Sequence, residues 1–250
     1  MSDPTSTGEP PVIAAPPAAA PTAVWEDFID IFHSPSDVFA RRQNSSFWVP
    51  MLVVAILIGG LFYANSGVLA PMMDAEFQRG SAAAMRANPQ ITSEQMAMGR
   101  HIGEIVAKVG AFIFIPIGIF VMGFLLWIIG KLFDASESFH TAVVVVAYAF
   151  VPKVLEAVLA GAQGLFMDPA ALTSHYSISL GPARFLNPDT ASPLLLAILG
   201  NLDVFTIWVT ALLVIGLSVT GKIPRARAAM AGVLLWALGI VPALIQAARS

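Results

Sequence analysis

Long uninterrupted apolar runs constrain the fold of this chain more than any other feature. The runs cover residues 47–64, 109–130, 139–166, 194–219 and 226–247. Each is close to the length of about 20 residues that a helix needs to cross the hydrocarbon core of a bilayer. With 57% hydrophobic and only 12% charged residues, the chain also lacks the polar side chains that a water-facing surface requires. The sequence predicts an all-α polytopic integral membrane helix bundle with about five transmembrane helices.

Two segments precede the membrane domain, which we assign to residues 47–250. Residues 1–23 contain many Pro and Ala residues and no Lys or Arg, so they predict a disordered cytoplasmic tail and no signal peptide. Residues 24–46 predict an amphipathic, interfacial helical segment. Its apolar stripe is formed by Trp25, Phe28, Ile29 and Phe32, opposite Glu26, Asp27 and Asp30. The segment either lies on the membrane surface or docks onto the bundle, and the pattern leaves both interpretations open.

Signals for helix ends divide the rest of the chain. Residues 65–100 are polar and predict an extramembrane loop, and Thr92 and Gln95 have the spacing of a capping box for a helix that continues to Phe133. Ser192-Pro193 predicts the start of the fourth span.

The distribution of basic residues predicts the orientation in the membrane. A five-span topology places six of them on one side: Arg41, Arg42, Lys131, Lys222, Arg225 and Arg227. The opposite side holds an equal six, but four of them are spread along a long loop and helix extension, where the rule is weak: Arg79, Arg86, Arg100, Lys108, Arg184 and Arg249. The first six lie in short segments next to spans, where positive charge favours the cytoplasmic side. We therefore expect a cytoplasmic N-terminus and an outside C-terminus, in the cytoplasmic membrane of a bacterium.

Four polar residues fall inside predicted spans. Lys153 and Glu156 lie in span three, and Asn201 and Asp203 lie in span four, with Lys153 as the expected partner of Asp203. Ionisable groups at such depth are costly and normally face the bundle interior, paired with one another. They either hold helices together or line a proton or cation pathway. If span three instead ends near Val151, Lys153 is an interfacial anchor.

Several chemistries have no residues to support them. The chain contains no cysteine, and its histidines, His33, His101, His140 and His175, form no metal-binding spacing. There is no phosphate-binding glycine loop and no nucleophile elbow. The net charge of −3 also disfavours nucleic acid as a partner. We expect no enzyme activity, no metal and no cofactor.

Small residues at four-residue spacing predict close helix packing. The pairs are Ala157/Gly161, Ala228/Gly232 and Gly239/Ala243. They serve either contacts within the bundle or a homo-oligomer.

A further set of motifs resembles a known family. They are the octapeptide from Trp25 to Phe32, Ser34-Pro35, Val38-Phe39, Phe139-His-Thr-Ala, Ala147-Tyr148-Ala149 with Pro152, and Leu202-Asp203-Val-Phe205-Thr206-Ile-Trp208. In this order they resemble bacterial members of the YIP (Ypt-interacting protein) domain family, over roughly residues 25–243. The resemblance implies five membrane helices and a cytoplasmic N-terminus. Because eukaryotic members are implicated in vesicle traffic and in contacts with Rab-type GTPases, it also implies a membrane-embedded adaptor or organiser.

Two functional hypotheses follow. The first is a non-enzymatic membrane scaffold or adaptor, acting in membrane organisation or trafficking, whose 24–42 segment meets the lipid bilayer or a protein partner. The second is a small transporter or ion pathway lined by Lys153, Glu156, Asn201 and Asp203.

Overall fold

The computed structural model describes residues 23–248, so the predicted disorder of the N-terminal tail falls almost entirely outside the described range. The α-helices are α1 Val24–Asp30, α2 Pro35–Arg42, α3 Trp48–Asn65, α4 Ala70–Ala87, α5 Ser93–Leu132, α6 Phe139–Ala149, α7 Pro152–Phe166, α8 Pro193–Gly200, α9 Val204–Thr220 and α10 Arg225–Ala247. Three short 3₁₀ helices, Pro169–Ala171, His175–Ile178 and Pro182–Phe185, lie between α7 and α8. No strand occurs between residues 23 and 248.

The number of membrane-spanning helices confirms the predicted fold class. Four helical segments are long and apolar enough to cross a bilayer: α3, α5, the α6–α7 pair and α10. The bent pair of α8 and α9 supplies a fifth when it is counted as one span. The predicted capping box is also present, because Thr92 accepts from the backbone of Gln95 and the Gln95 side chain accepts from the backbone of Thr92.

The polar interval 65–100, which we expected to be a loop, contains helix α4. Two predicted continuous spans are broken in the structure. The prediction of one helix over 194–219 was wrong, since α8 and α9 meet at 51° around residues 201–203. Asp203 begins α9 by accepting a hydrogen bond from the backbone N–H of Phe205, which favours a new helix start there. The run 139–166 is interrupted more gently before Pro152, whose ring nitrogen has no hydrogen to donate.

Helix α6 lies at the centre of the bundle. All nine residues from Thr141 to Ala149 are buried, and the helix packs against α3, α5 and α9. Because the side chains of Val143–Val146 face neighbours in every direction, α6 has no polar face, as expected for a helix enclosed by others.

The helix ends form two groups that we name by their chemistry. At the basic end, the backbone N–H and hydroxyl of Ser136 donate to the carbonyl of Gly221, and the Thr141 hydroxyl donates to the carbonyl of Gln43. This end therefore brings together residues 43–47, 131–139 and 221–227. At the opposite, loop end, Arg79 of α4 donates to the carbonyl of Thr173, so residues 66–92 and 167–192 meet there.

The first two helices fold back on each other to form a unit that we call the N-terminal hairpin, residues 24–42. Arg41 and Arg42 at the end of α2 contact Asp27 in α1, which fixes the antiparallel arrangement. Helix α2 packs against α9, and Phe39 lies beside Gly216 of that helix. The hairpin is thus part of the bundle.

The small residues noted in the sequence divide between interior and open positions. Gly161 lies against the side chain of Asn65, and Gly232 lies against Val214, so both allow close contacts within the bundle. At Gly239 an added methyl group would meet nothing within 4 Å. Of these three glycines, only Gly239 leaves room for a contact with a second copy of the chain.

Replacing Gly216 by Ala tests the packing of α9 against α6 and the hairpin. The added methyl group would collide with Val145, which is itself buried, so we expect destabilisation by about 1–3 kcal/mol. Thermal unfolding in detergent measures this loss of stability. The matched control is Gly239→Ala, where the helix gains propensity and finds free space; equal melting temperatures for the two variants would contradict the described packing.

Candidate functional site

The carboxylate of Asp27 is the centre of a buried ionic network. Its side chain has no solvent-exposed surface. Arg41 Nε donates to Oδ1 over 2.7 Å, and Arg42 Nε donates to Oδ2 over 2.6 Å. The hydroxyl of Tyr148, on the central helix α6, donates to Oδ2 over 3.2 Å. One carboxylate therefore connects both helices of the hairpin to the middle of the bundle.

The network is electrically balanced. Arg41 also contacts Asp30, so two guanidinium groups face two carboxylates. Burial of a charge is tolerated only when it is paired and hydrogen-bonded, and this arrangement meets both conditions. The expectation that Asp27 belongs to an exposed polar face was wrong: helical periodicity placed it there, but contacts with distant residues bury it.

The predicted apolar stripe of α1 divides into an inner and an outer part. Phe28 packs against Tyr148 with ring centroids 5.9 Å apart, and Phe32 packs edge-on against Trp208 at 5.5 Å. Trp25 and Ile29 point away from the bundle and are 63% and 57% exposed. Of the two interpretations left open by the sequence, the structure therefore shows docking onto the bundle, with an apolar edge still uncovered.

Lys153 and Glu156 form an ion pair with 2.6 Å between Nζ and Oε2. Both lie on α7, one turn apart, so the spacing read from the sequence brings them together. They line a crevice of about 340 Å³ together with Ile58 of α3 and Ile115 of α5.

Asn201 and Asp203 occupy the break between α8 and α9. Asp203 is buried and accepts hydrogen bonds from the Ser179 hydroxyl, the Leu180 backbone and the Phe205 backbone, each at 2.8–2.9 Å. The expected contact between Lys153 and Asp203 is absent, because these three donors already satisfy the carboxylate. The Asn201 amide donates to the carbonyl of Ala197. The four predicted residues thus form two separate polar sites, each with its own partners.

Glu137 is a buried carboxyl that no sequence pattern singles out. It lies in the connection between α5 and α6, wedged between Gly130 and Gly221 at the ends of α5 and α9. Among residues 23–248, neither of its carboxylate oxygens has a hydrogen-bond partner. Burial raises the pKa of the Glu137 carboxyl, and the nearby backbone N–H of Glu137 and the positive charge of Lys131 oppose the rise only in part. The negative ends of two helices lie beside it, which also disfavours its ionised form.

Three of the four histidines make separate local contacts. His140 contacts the carbonyl of Ser45, His33 pairs with Asp30, and His175 pairs with Glu76 at the loop end. Hydrogen bonds from His175 lower the pKa of Glu76, against the effect of its burial. No group of three or more His, Asp and Glu residues in the described part of the chain could hold a metal ion.

Comparison with known proteins gives one match. A family model described as the Yip1 domain matches residues 29–245. The matched region extends from within α1 to the last turn of α10 and includes both arginines of the hairpin, Tyr148 and both polar sites. No curated protein and no solved structure matches the chain.

Replacing Asp27 by Asn tests the network that holds the hairpin. The neutral amide leaves two partly buried guanidinium groups without a full counter-charge, so we expect a loss of about 1.5–3 kcal/mol and opening of the hairpin. Hydrogen exchange of residues 24–42 measures the opening. The control is Asp30→Asn, because the Asp30 side chain is partly exposed and contacts only one of the arginines. Equal exchange in the two variants would show that Asp27 does not hold the hairpin.

Replacing Glu137 by Gln tests the buried carboxyl. A carboxyl whose pKa is raised by folding binds its proton more tightly in the native state, so native stability falls as pH rises above the ordinary pKa of about 4.5. We expect the variant to unfold at higher temperature than the wild type at about pH 8, by an amount equivalent to about 1–3 kcal/mol. The difference should vanish near pH 4. Glu94→Gln, at an exposed position, is the control, and a difference that does not depend on pH would contradict this explanation.

Proposed function

We propose that this chain, which belongs to the Yip1 domain family, is a non-enzymatic membrane scaffold. In this proposal it recruits a protein partner through its N-terminal hairpin. The observation that carries the proposal is the buried Asp27 network, which fixes the hairpin while the apolar edge of Trp25 and Ile29 remains uncovered. A bound partner would cover this edge.

A fixed apolar edge is suited to recognition. Ordering a flexible segment on binding costs free energy, and the hairpin is already ordered by its contacts with Tyr148, Trp208 and α9. Trp25 and Ile29 are four residues apart on α1 and so lie on one side of the helix. An exposed tryptophan next to a branched aliphatic residue is the kind of anchor that dominates the affinity of protein interfaces.

The connection from the hairpin to the first span supports recruitment from the cytoplasm. Gln43 follows the hairpin directly and accepts a hydrogen bond from Thr141 at the basic end, which also holds Lys131, Lys222, Arg225 and Arg227. The distribution of basic residues favours the cytoplasmic side for this end, with the C-terminus outside. Since Phe28 and Phe32 of α1 line a cavity with Val154 and Leu155 of α7, a partner in a bacterial cytoplasmic membrane would reach the exposed edge of α1 along the side of the bundle.

The alternative function as an ion pathway has less support. Its four polar residues lie in two sites with separate partners, since Lys153 pairs with Glu156 while Asp203 caps α9. A pathway needs these groups to follow one another along a continuous polar route.

Substituting both Trp25 and Ile29 by Ala tests the scaffold function. We expect at least a tenfold loss of the protein recovered by crosslinking in native membranes, because the edge contributes anchors of about 2 kcal/mol or more. A photoreactive residue at position 25 identifies the partner by mass spectrometry. The matched control replaces Val204 and Ile207 by Ala, because these two residues are similarly exposed on α9. Unchanged recovery in the α1 double variant, with normal thermal stability, would refute the proposal.

A further inference from the structure

A lateral crevice opens between α5 and α7, beyond the part of the central span that packs along α5. Helix α6 packs closely along α5, whereas α7, after the interruption before Pro152, packs against α3 and α9. The resulting crevice has a volume of about 340 Å³ and lies between Ile115 of α5 and the face of α7 that carries Lys153, Glu156 and Ala157. Its volume falls within the range of about 300–1,000 Å³ that is usual for small-molecule sites.

The ion pair inside this crevice is only partly covered. The side chains of Lys153 and Glu156 are 27% and 36% exposed. Across the described part of the chain, neither head group has a second hydrogen-bond partner beyond the 2.6 Å contact that joins them. An ammonium group has three protons to donate and a carboxylate has about four acceptor positions, so most of the capacity of the pair stays unused.

The depth of the ion pair follows from two contacts at the ends of the span. Thr141 binds Gln43 at the basic end, and Gly161 lies beside Asn65, the last residue of α3, at the loop end. Along a helix, Lys153 is about 18 Å from Thr141 and about 12 Å from Gly161. The two distances together equal the hydrocarbon thickness of about 30 Å, so the pair lies inside the apolar layer.

Charged groups at this depth require a polar occupant. A half-covered ion pair that faced lipid tails would be costly, since hydrocarbon offers neither donors nor acceptors. The rest of the crevice wall is apolar, including Ile58, Ile115 and Phe150. The occupant that fits both surfaces combines a polar group with an apolar body.

We propose that the crevice binds the head group of a zwitterionic phospholipid that enters laterally from the bilayer. The phosphate lies against the Lys153 ammonium and the amine of the head group lies against the Glu156 carboxylate. The ion pair has no net charge and presents both signs side by side, which complements a head group that also carries both signs and no net charge. A simple anion or cation would satisfy one partner and leave the other uncompensated.

The consequence is a lipid displaced toward the bilayer centre. A head group in the crevice lies about 12 Å below the level of Gly161, well beneath the ordinary head-group layer. This activity is independent of the N-terminal hairpin, because α1 and α2 contribute no residue to the crevice.

Photolabelling with phosphatidylcholine that carries a diazirine in its head group tests the site. The full chain is reconstituted in phosphatidylglycerol vesicles that contain a small fraction of the probe lipid, and labelled peptides are mapped by mass spectrometry. We expect labelling between residues 150 and 160, reduced at least tenfold by Lys153→Met combined with Glu156→Leu. The exchanged pair, Lys153→Glu with Glu156→Lys, keeps both charges and should retain labelling. The control is Arg100→Met with Glu104→Leu, an ion pair on α5 outside the crevice.

A competition measurement on the unmodified chain keeps the proposal testable if a variant fails to fold. Unlabelled phosphatidylcholine should displace the label, while diacylglycerol, which lacks the phosphate and amine, should not. Equal displacement by both lipids, equal labelling of the apolar double variant, or no labelling in the 150–160 segment would overturn the proposal. In the last case, hydroxyl-radical footprinting that marks α7 would identify water as the occupant.

Discussion

The N-terminal hairpin is positioned by the Asp27 carboxylate. With Arg41, Arg42 and Tyr148 as its donors, this buried charge is compensated from both sides of the hairpin and from the central helix. Without these partners, the ionised carboxylate would be more stable in water than inside the bundle. The same contact that neutralises Asp27 therefore decides which side of α1 turns inward, and so which residues of α1 remain exposed.

The interruptions of the membrane spans coincide with the polar sites of the bundle. A break in a helix frees backbone groups that need other partners inside a bilayer, and the chain places polar side chains where this happens. Asp203 and Asn201 satisfy the gap between α8 and α9, and Lys153 with Glu156 follows the break before Pro152. The interruption before Pro152 also coincides with a change of neighbours, since α6 packs along α5 whereas α7 packs against α3 and α9, and the lateral crevice lies between α5 and α7.

Features that depend on neighbours in the sequence could be predicted, and features that depend on distant residues could not. The apolar runs identify the spans, and the Thr92–Gln95 capping box and the Lys153–Glu156 pair follow from spacing alone. Periodicity put Asp27 and Asp30 on one polar face, because the burial of Asp27 depends on Tyr148, 121 residues away. Two donors to Asp203, Ser179 and Leu180, come from an irregular segment with no periodic signal. Glu137 is a single acidic residue in a short connection, and no sequence pattern predicts its burial.

The packing of α2 against α9 also has a consequence for biosynthesis. The hairpin leaves the ribosome before the first span, yet Val204 of α9 follows Arg42 only after roughly 160 residues, about ten to thirty seconds of translation at about 5–20 residues per second. During that interval the growing chain lacks the surface onto which the hairpin closes. The hairpin is therefore made before α9 but reaches its native contacts only after α9, and an incompletely synthesised chain differs from a finished one in the packing of the hairpin.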